Sequence, residues 1–170
     1  MKLMQIRTPR LWMQSAEADE TILRSMVGWL NDPIVVRYSE QRHHRHTMAS
    51  QCLYIDMFMD ENYLLLLYDE DTLIGSATIF ADVPNQTANI GLMIGERSMW
   101  GKGLGNEAWQ AVCDRTLADG YRKVEAGCMA CNVSMMCICS HYGMMEEGRQ
   151  EDHFLCNGQP TDLVHWGKFK

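Results

Sequence analysis

The chain has 170 residues, 46% of them hydrophobic and 22% charged, with a formal net charge of −7. Its acidic balance argues against a nucleic-acid partner, which calls for a basic excess, and no apolar run approaches the ~20 residues that span a bilayer, so no membrane partner is expected either. The length suits one domain over residues 1–170, enough to bury roughly 70% of the unfolded surface.

In chain order, Met1-Lys2-Leu3-Met4-Gln5-Ile6-Arg7 is too short and polar for a signal peptide. Met4 to Met13 reads as an extended segment interrupted by Pro9. Glu17 to Leu30 reads as a helix, with Ile22, Met26, Trp29 and Leu30 on one face, stopped by Asn31-Asp32-Pro33. Thr47 is placed to cap a second helix carrying Met48, Cys52, Ile55 and Met59 on one stripe. Tyr63 to Tyr68 and Leu73 to Phe80, joined by the polar turn Asp69-Glu70-Asp71-Thr72, read as an antiparallel hairpin, followed by a third strand over Thr87 to Gly95. The next helix turns Leu104, Ala108, Ala111 and Val112 inward and ends near Gly120. Lys123 to Met129 is a strand and Asn132 to Tyr142 a short helix ended by Gly143. Met145 to Leu155 and Thr161 to Phe169 form a closing hairpin around Asn157-Gly158. The order implies a mixed α+β sheet.

The most telling stretch joins the third strand to the following helix: Trp100-Gly101-Lys102-Gly103-Leu104-Gly105-Asn106-Glu107-Ala108. Glycines on alternate positions leave the backbone uncrowded. The N–H groups of residues 102 to 106, backed by a helix start, can converge on one anion, and a pyrophosphate fits. A dinucleotide fold would want G-x-G-x-x-G in its first strand–helix turn, and here Asn106 stands where the last glycine should. Glu125 lies at the right distance for a ribose partner, but repeated strand–helix units are missing. The P-loop pattern G-x-x-x-x-G-K-[ST] is absent. A tight turn with no ligand is the remaining alternative.

The second half of the chain resembles the GNAT acyltransferase superfamily, in particular the branch of ribosomal-protein N-terminal acetyltransferases. The family loop is Q/R-x-x-G-x-G/A, matched by Trp100-Gly101-Lys102-Gly103-Leu104-Gly105 and followed by Glu107-Ala108. Asn132-Val133-Ser134, then Tyr142-Gly143-Met144 and Glu147-Gly148, are similar to the branch's N-x-x-S…G-F…E-G segment, and Gly158 and Asp162 to its closing hairpin. Thr8-Pro9-Arg10-Leu11 and Trp29-Leu30-Asn31-Asp32-Pro33 also look familial. The resemblance covers nearly all the chain. It departs at Trp100, where the family has a polar residue, and at Cys139, where many members place a tyrosine acid.

The resemblance implies a mainly antiparallel central sheet with flanking helices and one strand–helix–strand coenzyme-binding unit. It implies acetyl-CoA as co-substrate and no metal. The pyrophosphate would sit on the loop from Trp100 through Gly101, Lys102, Gly103, Leu104 and Gly105 to Asn106. The pantetheine arm would pair with the strand edge at Met93, Ile94 and Gly95, with Asn132 and Ser134 on its other side. The reaction is N-acetylation of a primary amine, on a protein N-terminus or a small molecule, by direct attack in a ternary complex. Glu96 is the nearest candidate base; Cys139 and Tyr142 are candidate acids. A homodimer is compatible with this reading.

Gln41-Arg42-His43-His44-Arg45-His46 lies between the first two helices, a region that borders the acceptor pocket in GNAT folds. Arg42, His43, His44, Arg45 and His46 make a local positive patch suited to phosphate or carboxylate. A nucleotide-linked amino sugar, or another anionic amine, is the alternative acceptor; a non-catalytic acyl-CoA-binding sensor is the alternative of another class. Cys128-x-x-Cys131 with Cys137, Cys139 and His141 has the composition of a zinc site but spans a strand and a helix, so the seven cysteines read instead as free thiols of a reducing cytoplasm. The fourteen methionines read as core filler.

Overall fold

The computed structural model describes residues 3–170; the first two residues of the segment Met1–Arg7 lie outside it. Eight strands form one sheet: β1 (Gln5–Arg7), β2 (Leu11–Ser15), β3 (Tyr63–Asp69), β4 (Thr72–Asp82), β5 (Thr87–Ile94), β6 (Lys123–Met129), β7 (Met145–Cys156) and β8 (Gln159–Phe169). The helices are α1 (Glu20–Leu30), α2 (Met48–Asp56), α3 (Leu104–Ala118) and α4 (Val133–His141). The strand order is β1-β2-β3-β4-β5-β6-β8-β7. Every neighbouring pair is antiparallel except β5–β6.

The extended segment expected at the start, interrupted by Pro9, is two strands, one on each side of that residue. Pro9 has no N–H to give a ladder, and the chain turns there, with Thr8 N–H donating to Leu11 C=O at 2.9 Å. Helix α1 begins later than its hydrophobic pattern suggests, because Asp19 caps it by accepting from Thr21 and Ile22. Thr47 caps α2 through a reciprocal capping box with Ser50. The buried positions along α2 and its exit are Gln51, Ile55 and Phe58; Met59 lies beyond the helix end and is exposed. The closing hairpin turns on Asn157 and Gly158, both left-handed, as a two-residue turn demands.

Strand β3 is apolar without interruption because both faces of the sheet are covered. Its Tyr63, Leu65 and Leu67 join the core beneath α3 and α4. Its Leu64 and Leu66 join the core beneath α1 and α2, with Met26, Trp29, Ile55 and Phe58. The face of α3 is wider than the sequence suggests, since Trp109, Cys113, Thr116 and Leu117 are buried beside Leu104, Ala108 and Val112.

Strands β5 and β6 pair only from Thr87–Asn89 to Lys123–Glu125. Beyond those residues they separate, and the sheet opens like a seam. Trp29 of α1 packs directly on Gly95 at the end of β5: a Cβ built there would lie 2.0 Å from Trp29 Cδ2 and 2.3 Å from Cγ. We expect Gly95→Ala to destabilise the protein by roughly 1–3 kcal/mol through this overpacking; a thermal melt checks it, and an unchanged midpoint would refute the contact.

Candidate active site

The open seam forms a cleft of about 310 Å³, walled by Ile90, Gly91 and Leu92 on β5 and Gly127, Cys128 and Met129 on β6. Tyr38, Ser39 and Glu40 close one side, and Asn132 and Met135 another. The β5 backbone alternates in direction. Gly95 donates its N–H to Ile74 C=O at 2.8 Å, so it and Met93 turn their main-chain groups toward β4. Leu92 and Ile94 turn theirs into the seam. The edge expected at Met93, Ile94 and Gly95 is therefore offset: Gly95's N–H is committed within the sheet, and Leu92 was missed. Ile94 C=O accepts Trp100 Nε1–H at 2.7 Å, so Trp100 fills a backbone vacancy at the seam's mouth.

At that mouth, Gly101 (φ +76°) and Gly103 (φ +79°) adopt left-handed backbone that a side chain would strain. Gly105 is small for another reason: a Cβ there would press on Ile138 of α4 at 3.3 Å. Trp100 N–H donates back to Arg97, and the α3 ladder starts with Glu107 N–H to Gly103 C=O at 3.2 Å. Between them, no main-chain bond among the described residues takes the N–H groups of residues 101–106. The loop presents those donors with the positive end of a fifteen-residue helix behind them.

The loop is held from below by residues the sequence reading left unused. Glu107 accepts from Thr8 Oγ1 at 2.5 Å, from Arg10 N–H at 3.0 Å and from Arg10 Nε at 2.6 Å. Arg10 Nη1 donates to Lys102 C=O at 2.8 Å. Across a trans peptide, C=O and N–H point in opposite directions. Fixing the Lys102 carbonyl on Arg10 therefore aims the Gly103 N–H away from the fold. Burial works to raise the Glu107 carboxyl, but the bonds from Thr8 and Arg10 outweigh it and hold it below its ordinary value. In the sequence the Thr8-Pro9-Arg10-Leu11 stretch looks familial without a role attached; the fold gives it one by bringing it beside Glu107.

The three candidate acid–base groups sit elsewhere. Cys139 is fully buried among the core residues beneath α3 and α4, and burial pushes its thiol up to about 12. Tyr142 donates its hydroxyl to Asp114 on α3 at 2.7 Å, and Lys168 lies over its ring at 3.8 Å. Burial and the Asp114 bond raise the Tyr142 hydroxyl well above its ordinary value. Glu96 caps a turn, accepting from Ser98 Oγ at 2.8 Å and Ser98 N–H at 3.1 Å, which lowers its carboxyl. None of the three lines the cleft. Glu40 does, and it is the only carboxylate among the described residues that line it.

The basic stretch divides. Arg42 is spent on structure: it donates to Ser39 C=O at 2.9 Å and Leu155 C=O at 3.1 Å and pairs with Glu40 at 2.9 Å. His46 is buried, with Nε2–H donating to Gln41 C=O at 3.3 Å and Nδ1 accepting from Gln51 at 3.1 Å. Neither projects toward a ligand. His43, His44 and Arg45 are exposed. Asn132 lines the cleft and caps α4 by accepting from Met135 N–H at 3.2 Å; Ser134 is exposed two residues on. Among the described residues no group of three or more His, Cys, Asp or Glu side chains converges as a metal site. A second hollow of about 350 Å³ lies at the far end of α3, by Thr116, Asp119 and Gly120. It is about 20 Å from the glycine loop along a helix rising 1.5 Å per residue.

Residues 10–145 match the family model of the GNAT acetyltransferase domain. No curated protein sequence matches the chain. Among solved structures, the ribosomal-protein N-terminal acetyltransferase RimL in complex with coenzyme A superimposes with a TM-score of 0.86 at 14% identity, over 98% of each chain. The microcin self-immunity acetyltransferase MccE, in complex with acetyl-CoA and AMP, gives 0.81 at 15% identity, over 96% of this chain and 94% of that one. A GNAT-family acetyltransferase from Bacillus anthracis gives 0.81 at 19%, over 98% of each.

The placement of Cys139 has a chemical consequence. Only thiolates alkylate at useful rates. We expect native iodoacetamide treatment at mildly alkaline pH to modify the exposed Cys137 and leave Cys139 and Cys113 intact. Peptide mass spectrometry reads this; Cys139 labelling as fast as Cys137 would reopen its candidacy.

Proposed function

The chain belongs to the GNAT acetyltransferase family, and we propose that this protein transfers acetyl from acetyl-CoA to the primary amine of a protein N-terminus or a small molecule, by direct attack in a ternary complex. The observation that carries the reading is the row of unpartnered amides at residues 101–106, standing at the mouth of the unzipped seam. The coenzyme's pyrophosphate would rest on the N–H groups of residues 102–106. Its pantetheine arm would run along the open β5 edge at Leu92 and Ile94, with Asn132 and Ser134 opposite. RimL with coenzyme A and MccE with acetyl-CoA support this placement by their likeness in fold.

The coenzyme supplies the activated thioester. The chain supplies orientation, which is worth several kcal/mol when reacting atoms are held at about 3–3.5 Å. The acceptor would approach from the Tyr38–Glu40 side. We assign Glu40 as the group that takes the ammonium proton through water, since it is the cleft's carboxylate and Arg42 fixes its position at 2.9 Å.

The second reading, a coenzyme-binding sensor without turnover, draws on one observation: Glu96, Cys139 and Tyr142 are all committed inside the fold. Thiol release from acetyl-CoA with a panel of peptide and small amines separates the two, with mass spectrometry identifying the product. Binding without thiol release or acetylated product would establish the sensor. For Glu40→Gln we expect kcat to fall about 10²-fold with the KM for acetyl-CoA unchanged; an unchanged kcat would remove Glu40 from the chemistry. For Arg10→Gln we expect the KM for acetyl-CoA to rise about tenfold, as loss of a charge-assisted bond allows, while acetyl-pantetheine, which has no pyrophosphate, is used as before. An equal loss with both donors would mean that Arg10 only stabilises the fold.

A further inference from the structure

Arg37 stands in the connection after α1, exposed, directly before the cleft residues Tyr38, Ser39 and Glu40. Its guanidinium carbon lies 4.7 Å from the Tyr38 ring centroid and 5.9 Å from that of Trp100. Arg10, Arg24, Arg42, Arg97, Arg115 and Arg149 each pair with a carboxylate. Arg37 makes no ion pair and no hydrogen bond among the described residues, in a chain of net charge −7. Two acids of the same connection are already engaged: Glu40 by Arg42 at 2.9 Å, and Asp32 by Arg97 at 3.4 Å.

Aromatic contacts use the flat face of a guanidinium and leave its in-plane N–H donors available. They also fix the side chain beforehand, so less entropy is lost when a partner arrives. One of the two rings is itself anchored at the mouth of the seam, because Trp100 Nε1–H is bonded to Ile94 C=O at 2.7 Å on the open strand edge. We propose that Arg37 recognises an oxyanion group, a carboxylate or a phosphate, on the acceptor amine. The inference rests on the acetyltransferase reading above and narrows its acceptor class. It also moves the anion site from the stretch 42–46 to Arg37. Arg42 and His46 are consumed by the fold, and Arg45, though exposed, has no hydrogen bond, ion pair or ring contact among the described residues to orient it.

The test uses probe pairs that differ only in the anion: an N-terminally free tetrapeptide amide with aspartate or asparagine at its second position, and glucosamine 6-phosphate against glucosamine. Acetylation kinetics and calorimetric binding to the coenzyme-A-loaded protein are both measured, since binding needs no turnover. We expect the charged member of at least one pair to be preferred about tenfold; which pair shows it distinguishes carboxylate from phosphate. Arg37→Gln should erase the preference while leaving the neutral member and the KM for acetyl-CoA unchanged, and Arg37→Lys should keep part of it. Charge-selective binding lost in Arg37→Gln, without turnover in any variant, would support the Arg37 site and overturn the enzyme reading. Binding with no charge preference, or an equal loss for charged and neutral probes, would overturn the Arg37 site.

Discussion

The structure depends on one short ladder. Among the described residues, strands β5 and β6 are the only parallel neighbours, and they hold each other for three residues before parting. Continued pairing would make a closed sheet with no cleft. Early separation leaves backbone donors and acceptors without a partner strand, a costly state unless something else meets them. The chain meets part of the demand itself, with Trp100 Nε1–H on the Ile94 carbonyl. What is left, around Leu92 and Ile94, is suited to an extended chain of amides, and pantetheine is such a chain.

The glycine loop follows the same logic at a sharper angle. Two left-handed residues turn the chain, and the clamp of Thr8 and Arg10 on Glu107 holds the turn in place. A loop of bare amides with no such support would gain little from being bare, because unfixed donors lose entropy on binding. The β1–β2 turn thus serves a site nearly a hundred residues away in sequence. The clamp also has a defined pH window. The Glu107 carboxyl is held below its ordinary 4.5, so its contribution is complete above that value and is lost as pH falls through the lowered one.

Much of the fold could be read from local pattern. The β3–β4–β5 run, the Lys123–Met129 strand and the Asn157-Gly158 hairpin follow from apolar runs between turn residues. So does the loop, because glycines at 101 and 103 answer a backbone need that no distant residue supplies. Three kinds of fact were hidden. Asp19 starts α1 three residues later than the helix read from the apolar pattern, through side-chain bonds to Thr21 and Ile22 that the pattern does not register. Gly105 looks like a loop residue but is small because Ile138, far along the chain, crowds it. The Tyr142 side chain was legible as to type and position but not as to direction; its partner Asp114 sits on another element. Spacing tells what lies next to a residue along the chain, not where its side chain ends.

That limit explains the exchange of roles at the cleft. Arg42, in the middle of a basic stretch, has the appearance of a ligand-binding residue, but three carbonyl and carboxylate partners hold it to the seam's wall. In doing so it places Glu40. Removing Arg42 would therefore disturb the proposed base as well as the wall, and a loss of activity in that variant would not identify an acceptor contact. Arg37, unremarkable in sequence, keeps its donors open because its contacts are with ring faces rather than with oxygens. An arginine with satisfied hydrogen bonds is part of the scaffold. One that is oriented but unsatisfied, beside the strand edge that would hold the coenzyme's pantetheine arm, is where acceptor selectivity has room to be built.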